Sequence, residues 1–354
     1  MTERQAYVAF NLAEGIGSAG VAELVKSAGS VAAAWDAYPK KVSRSGGEID
    51  WEGEFALAKR RNVTILTPAD DAYPARLRSV PGHPLALYVK GEVAALSKPM
   101  VALVGTRRPS EYGLRMAQRL AAGLVDAGWG VVSGLALGID AESHRGALDA
   151  KGVTVGVIGS GLDVFYPEEN IPLARDMVKN GGAVASEFPF GRPPDRETFP
   201  IRNHVVAALA HGVVAVEAPV RSGTLITMSI AADLGRTAMA VPGRADSRSS
   251  AGCLQLIRDG AILVRNVDDV LEAMSELIPN GSRKSDSAGG RDPETPPYSP
   301  EEALVMLHAE KDGVSIDELV RLSGLPAERV NSVVMGLRIK GFLKFLPGNR
   351  VASL

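Results

Sequence analysis

Through the middle of this 354-residue chain, short runs of consecutive apolar residues alternate with longer segments in which apolar residues recur every three or four positions. Val101 to Val104 is one such run. It ends at Gly105, the pattern of a strand covered on both faces. The loop Gly105-Thr106-Arg107-Arg108-Pro109-Ser110 then opens a segment in which Leu114, Ala117, Leu120, Ala121, Leu124 and Val125 share a helical face. The pattern repeats at once: Val131-Val132-Ser133-Gly134 closes a second strand, and Gly138-Ile139-Asp140 leads into a helix. A strand feeding a helix through a glycine turn leaves backbone N–H groups and the positive end of the helix dipole above the sheet edge, where anions bind. Two adjacent turns of this kind point to a ligand longer than one phosphate, although glycine after a parallel strand also serves simply as a turn.

The alternation continues with strands at Val153 to Ile158 and Ala183 to Glu187, separated by a helix at Ile171 to Lys179. Residues 188–202 read as a long irregular loop and Asn203 to Ala210 as a helix. A strand at Val213 to Ala218, the turn Arg221-Ser222-Gly223-Thr224, a helix to about Leu234 and a strand at Ala238 to Val241 complete the series. Alternation over this length predicts an α/β fold: one parallel sheet with helices on both faces. Ahead of it, Val63 to Leu66 and Pro84 to Gly91 read as two more strands, and residues 1–61 are helical in pattern with Trp35 and Trp51 as core anchors. The glycine-punctuated turn from Leu12 to Gly20 is either of the helix-hairpin-helix kind or a plain helix connection.

Residues 279–299 are rich in Pro, Gly, Ser and charge, which predicts a flexible linker between a 62–278 domain and a 300–354 domain. In the latter, three short helices, a capping box at Ser315 and Glu318 and a hairpin turning at Pro347-Gly348-Asn349 make a winged-helix pattern. Its third helix offers Arg329, Arg338 and Lys340, few cations for a major-groove reader, so DNA and protein contacts both stay open.

Composition narrows the function. The net charge is -2, so any polyanion has to be held by a local patch. One cysteine, Cys253, excludes an internal disulfide, and the five histidines form no ligand cluster with it, so no metal centre is expected. No leader pattern and no apolar run of roughly 18 to 20 residues is present, which leads us to expect a cytoplasmic protein without membrane contact. The local patch is visible: Arg107, Arg108, Arg192, Arg196, Arg202, Arg221, Arg244 and Arg248 all follow predicted strands, and ligands of such sheets collect at the carboxyl ends of strands. A guanidinium grips phosphate with two bonds and stacks on bases. Phe199, in the Pro-rich loop, adds a platform for an unpaired base.

Enzymatic machinery is not evident. Asp140 and His144 are spaced for an acid–base pair but also for a helix cap over a core histidine. Gly156 to Gly161 lacks the dinucleotide glycine spacing, no P-loop is present, and neither Gly159-Ser160-Gly161 nor Ser222-Gly223-Thr224 is a nucleophile elbow.

Taken in order, Val104-Gly105-Thr106-Arg107, Tyr112-Gly113, Ser133-Gly134-Leu135-Ala136, Gly138-Ile139-Asp140, His144-Arg145-Gly146-Ala147-Leu148, Tyr166-Pro167-Glu168-Glu169-Asn170, Ser186-Glu187, Phe199-Pro200, Arg202-Asn203, Glu217-Ala218, Ser222 to Thr227 and Val241-Pro242-Gly243 resemble the DprA/Smf family of DNA-processing proteins over residues 62 to 275. The resemblance implies an extended Rossmann-like sheet between a small SAM-like helical domain and a winged helix. It implies a homodimer that binds single-stranded DNA, protects it in natural transformation and loads RecA recombinase, with a single-strand-binding protein as a further partner, no cofactor and no catalysed reaction. On this likeness the strand is held by Gly105, Thr106 and Arg107, by Arg196 with Phe199, and by Arg202 with Asn203. Arg108, Ser133, Gly134, Arg192, His204, Arg221, Ser222, Gly223 and Thr224 complete the expected site. Leu137, His204 and Leu254 depart from the family pattern, each at the loss of a polar contact, and His204 would let binding rise as pH falls. The rival reading is a nucleotide-processing hydrolase on a similar sheet, with Glu217 as its acid.

Overall fold

The apolar runs become the strands of one sheet in a computed structural model that describes residues 1–13, 15–38, 47–275, 300–309, 313–339, 342–346 and 350–353. The chain forms two units, Met1–Pro279 and Asn280–Leu354. The expected linker at 279–299 and the turn at Pro347-Gly348-Asn349 lie outside the described residues.

The first unit begins with four helices, α1 (Glu3–Leu12), α2 (Ser18–Ala28), α3 (Val31–Ala37) and α4 (Trp51–Arg60). Then come β1 (Thr64–Leu66), α5 (Ala75–Arg78), β2 (Leu87–Gly91), β3 (Met100–Gly105), α6 (Glu111–Asp126), β4 (Gly130–Ser133), α7 (Ile139–Asp149) and β5 (Thr154–Val157). They are followed by α8 (Ile171–Lys179), β6 (Ala183–Ser186), α9 (Thr198–Leu209), β7 (Gly212–Glu217), α10 (Gly223–Asp233) and β8 (Thr237–Ala240). Beyond the last strand assigned from the sequence, α11 (Ala251–Arg258), β9 (Ile262–Leu263) and α12 (Val267–Met274) close the unit.

Among the described residues the sheet has nine strands, in the order β1-β2-β6-β5-β4-β3-β7-β8-β9. From β6 to β9 every pairing is parallel, whereas β2 runs antiparallel to both β6 and β1, so the sheet is mostly, not wholly, parallel. Side chains alternate across the strands: Met100, Ala102 and Val104 of β3 pack with Val205, Val206 and Met228 of α9 and α10, while Val101 and Leu103 meet Leu120 and Leu124 of α6 on the other face. Phe10 and Trp35 stack edge to face at 5.0 Å in the helical core at the amino end, with Trp51 packed beside them. Ala58 of α4 joins Ile65 and Tyr88 in a cluster that ties these helices to β1 and β2.

α9 starts at Thr198, five residues earlier than the sequence pattern placed it. Pro200 obscures this start, yet in a first turn its missing amide removes no intrahelical bond. Asp195 supplies the acceptor there, its Oδ1 taking the amides of Glu197 and Thr198 at 2.8 and 2.9 Å. Phe199 and Arg202 therefore project from a helix rather than from a loop.

The second unit is a winged helix: α13 (Pro300–His308), β10 (Val314–Ser315), α14 (Ile316–Ser323), α15 (Ala327–Ile339), β11 (Leu343–Leu346) and β12 (Arg350–Ser353), with β12 between β10 and β11. Ser315 Oγ caps α14 by accepting the Glu318 amide at 3.2 Å. Arg329 pairs with Glu301 at 2.7 Å, which removes it from free display, and Lys340 lies outside the described residues. Among the described residues no helix is long and apolar enough to cross a membrane.

Candidate nucleic-acid interface

A cleft of about 420 Å³ lies at the carboxyl ends of β3, β4 and β7. Four separate segments reach it, and they bring together Gly105, Thr106, Arg107, Arg108, Gly134, Phe199, Arg202, Asn203, Arg221, Ser222, Gly223 and Thr224.

The first two glycine turns are not the open anion sites that their sequence suggests. At the start of α6, Glu217 from the end of β7 already occupies the anion position: its Oε2 accepts the Ser110 amide at 3.0 Å and the Ser110 hydroxyl at 2.9 Å. The Thr106 amide donates to the Glu217 carbonyl at 2.8 Å and the Arg108 amide to Thr106 Oγ1 at 3.2 Å. In the second turn Asp140 folds back, and its Oδ2 accepts the Gly134 amide at 3.1 Å. Glu217 thus takes the anion position at α6, while at α7 the Thr106 carbonyl takes the Ile139 amide and the first-turn Asp140 carboxylate places a negative charge beside the helix end. Glu217, 2% exposed, lies beneath the loop and not in the cleft, which removes the acid of the hydrolase reading.

The third turn is different. Ser222 precedes α10 without a side-chain cap, its Oγ has no partner among the described residues, and the amides of Gly223 and Thr224 are at the cleft wall. This eleven-residue helix directs a positive dipole end into the cleft.

Arg202 forms the base. It is 5% exposed, its Nη1 donates to the Val157 carbonyl at 2.7 Å, and its Nε donates to Asn203 Oδ1 at 3.1 Å. Burial lowers its pKa to about 10, with Asp140 acting the other way, so it stays cationic at neutral pH. Burial likewise raises the Asp140 carboxyl, offset by Arg202 and by the Ala136 and Gly134 amides. A Cβ on Gly134 would lie 2.2 Å from Arg202 Nη1, so only glycine leaves room for the guanidinium. Gly138, at φ +80°, lets α7 cross against the first loop, where the Ile139 amide donates to the Thr106 carbonyl at 3.2 Å.

At the mouth, the Arg107 guanidinium sits 4.9 Å from the centroid of the Phe199 ring, and Tyr166 lies 6.1 Å beyond that ring. Tyr166 is half-exposed, as is Leu137 at the adjoining pocket; the family pattern had singled out Leu137 as a lost polar contact, whereas Tyr166 was not among the expected site residues. Arg108 and Arg221 are exposed and, like Arg107, have no carboxylate within 4 Å among the described residues.

Four expected residues are not brought there. The Ser133 hydroxyl is buried and donates to the Leu103 carbonyl at 2.6 Å. Arg192 pairs with Asp195 and faces α4. Arg196 is exposed on the turn before α9, outside the cleft lining. His204, about 100° further round α9 than Asn203, lies against Gly82, and burial holds its pKa below the ordinary histidine value, so it offers the cleft no added cation as pH falls. Arg244 is held by Asp246 at 2.9 Å. His144 is a core residue: Thr154 Oγ1 donates to the Val131 carbonyl and therefore accepts from His144 Nδ1 at 2.6 Å. Among the described residues no group of three His, Cys, Asp or Glu side chains is placed to hold a metal.

Comparison with known proteins gives a consistent set. Residues 64–275 match the family model of DNA recombination-mediator protein A, and residues 290–349 match the DprA winged helix domain. The chain is 34% identical over 297 residues to Protein Smf of Escherichia coli, spanning 81% of this chain and 76% of that protein. It is 43% identical over 202 residues to DNA processing protein DprA of Streptococcus pneumoniae, spanning 57% and 71% respectively. The crystal structure of DprA from Streptococcus pneumoniae superposes with a TM-score of 0.65 at 32% identity, covering 77% of this chain and 98% of that one. DNA processing protein A from Helicobacter pylori, whose structure was described for its single-stranded DNA binding mode, superposes with a TM-score of 0.55 at 27% identity, covering 60% and 96%.

Proposed function

Because the chain belongs to the DprA family of DNA-processing proteins, we propose that it binds single-stranded DNA in the cleft between Arg107, Arg202 and the start of α10. It holds the strand during natural transformation, delivers it to RecA recombinase, acts as a homodimer and catalyses no reaction. The observation that carries this reading is the convergence of unpaired guanidinium groups, an uncapped helix start and an aromatic face on one cleft.

Arg107, Arg108 and Arg221 draw the backbone in, and the Gly223 and Thr224 amides with the Ser222 hydroxyl take phosphate oxygens. Arg202 stands beneath as a charge that needs no reorganisation. A base that stacks on Phe199 displaces Arg107 from the ring. Stacking contributes about 1–3 kcal/mol per base, against about 0.5–1 kcal/mol for an exposed cation–π contact, so the exchange favours DNA. The displaced guanidinium is then free for a phosphate.

The test is fluorescence anisotropy of the full chain with labelled oligo-dT and with a duplex of equal length. Preference for the single strand supports the reading; equal or tighter duplex binding refutes it. RecA delivery is checked separately, by whether the protein speeds recombinase filament formation on the same oligonucleotide.

A further inference from the structure

A second concavity, of about 500 Å³, opens on the sheet face covered by α7 and α8, where the helix layer stops short of α4. Its floor is Val63, Val184 and the stem of Lys90, the last two directly opposite one another in the β2–β6 pairing. Ile171, Ala174 and Val178 of α8, three and four residues apart, form one wall, with Arg175 and Lys179 on its rim. Leu162, Phe165 and Phe190 close the groove, and the Arg61 guanidinium stands 5.7 Å from the Phe190 ring.

The lining contains no acidic side chain. Arg61 is 3.7 Å from Asp163, and the Lys90 ammonium donates to the Arg61 carbonyl. Arg175 and Lys179 are exposed and have no carboxylate within 4 Å among the described residues. An aliphatic floor inside a cationic rim accepts apolar side chains flanked by negative charge. Nucleic acid fits it less well: bases need hydrogen-bonding edges, which apart from its four cations this lining does not offer, and the Phe190 ring is already engaged by Arg61 and Tyr88.

We infer that this groove docks an acidic peptide segment of a partner protein, with one or two apolar side chains on the Val63–Val184 floor and carboxylates among Lys90, Arg175, Lys179 and Arg61. Occupancy would be felt at the DNA cleft, because Phe165 of the groove is followed by Tyr166, whose ring packs beside Phe199. The inference goes beyond the DNA-binding reading; peptide docking does not depend on it, whereas the coupling to the cleft and the oligo-dT control rest on it.

The probe is a fluorescein-labelled peptide of five alternating Asp and Glu residues followed by Leu-Phe, with a control ending in Ser-Ser, titrated into the full chain by anisotropy. The Leu-Phe peptide is expected to bind saturably and the control to bind about tenfold more weakly or not at all. The double variant Arg175→Glu, Lys179→Glu is expected to weaken the Leu-Phe peptide by about tenfold or more while leaving oligo-dT affinity unchanged, which also shows that the variant is folded. Absence of saturable binding up to about 1 mM peptide overturns the inference, as does equal binding by the double variant. Loss of oligo-dT affinity in the double variant overturns it too, by assigning the rim to the path of the nucleic acid.

Discussion

Replacing Arg107 by alanine tests the cleft through its salt dependence. Three exposed cations at the cleft, Arg107, Arg108 and Arg221, have no carboxylate within 4 Å among the described residues. Each phosphate neutralised on a single strand contributes about -0.7 to the slope of log affinity against log salt, so this cleft alone predicts a slope of about -2. Arg107→Ala brings the slope to about -1.4. Between 50 and 200 mM salt the wild type then loses about 18-fold in affinity and the variant about sevenfold, so their difference narrows by about 2.6-fold. Loss of the guanidinium also uncovers Phe199, which favours base stacking and limits the deficit at high salt. Anisotropy with labelled oligo-dT at four salt concentrations reads both slopes. Arg145→Ala is the control, because Arg145 is paired with Glu142 at 2.9 Å and lies outside the cleft lining. Parallel lines for Arg107→Ala and the wild type would mean that Arg107 neutralises no phosphate, and the cleft would lose its assignment.

Three further outcomes follow from the same geometry. Gly134→Ala forces a Cβ to within 2.2 Å of the buried Arg202 Nη1; overpacking of this kind costs about 1–3 kcal/mol, so the thermal midpoint should fall by about 2–4 °C for each kcal/mol, and an unchanged midpoint contradicts the packing described. Ser110→Ala removes the cap of α6, whose Oγ accepts the Gly113 amide at 3.2 Å, together with one donor to Glu217; denaturant unfolding should show a loss of about 1–2 kcal/mol with oligo-dT binding retained, whereas lost binding in a folded variant would make Ser110 part of the site. His144, fully buried, has its pKa lowered by burial from the ordinary histidine value of 6.5 to about 3, so the unfolded chain binds its proton first and stability falls as pH drops below about 6.5 towards 3; the loss is about 1.4 kcal/mol at pH 5.5, and His144→Asn, which keeps a donor for Thr154, should flatten the pH–stability curve there. A curve of unchanged steepness in that variant would remove His144 as its cause.

Much of the architecture was readable because it rests on local periodicity. Val101 to Val104 and Val131 to Ser133 read as covered strands, and the three-and-four spacing of Leu114 to Leu124 as one face of a helix, and both are so in the structure. Arg107, Arg108, Arg202 and Arg221 were equally legible, because the parallel strands β3 to β9 deliver their carboxyl ends to one edge, whereas Arg192, Arg196, Arg244 and Arg248 follow strands too and do not line the cleft. Direction and start were less so. The antiparallel run of β2 depends on which neighbour it pairs with, and the start of α9 depends on Asp195 capping a turn that Pro200 made look irregular.

Sequence alone therefore determined most of the strand and helix series and the family to which the chain belongs, and it raised the expectation that the ligand collects at one sheet edge. Only the tertiary structure decided which of the three glycine turns is free for an anion: Glu217 reaches Ser110 from 107 positions away, and the Thr106 carbonyl takes the Ile139 amide while Asp140 turns back on Gly134, leaving the start of α10 open. The physical reason is that a backbone amide has one hydrogen to donate, and its acceptor is selected by proximity in space rather than by order along the chain.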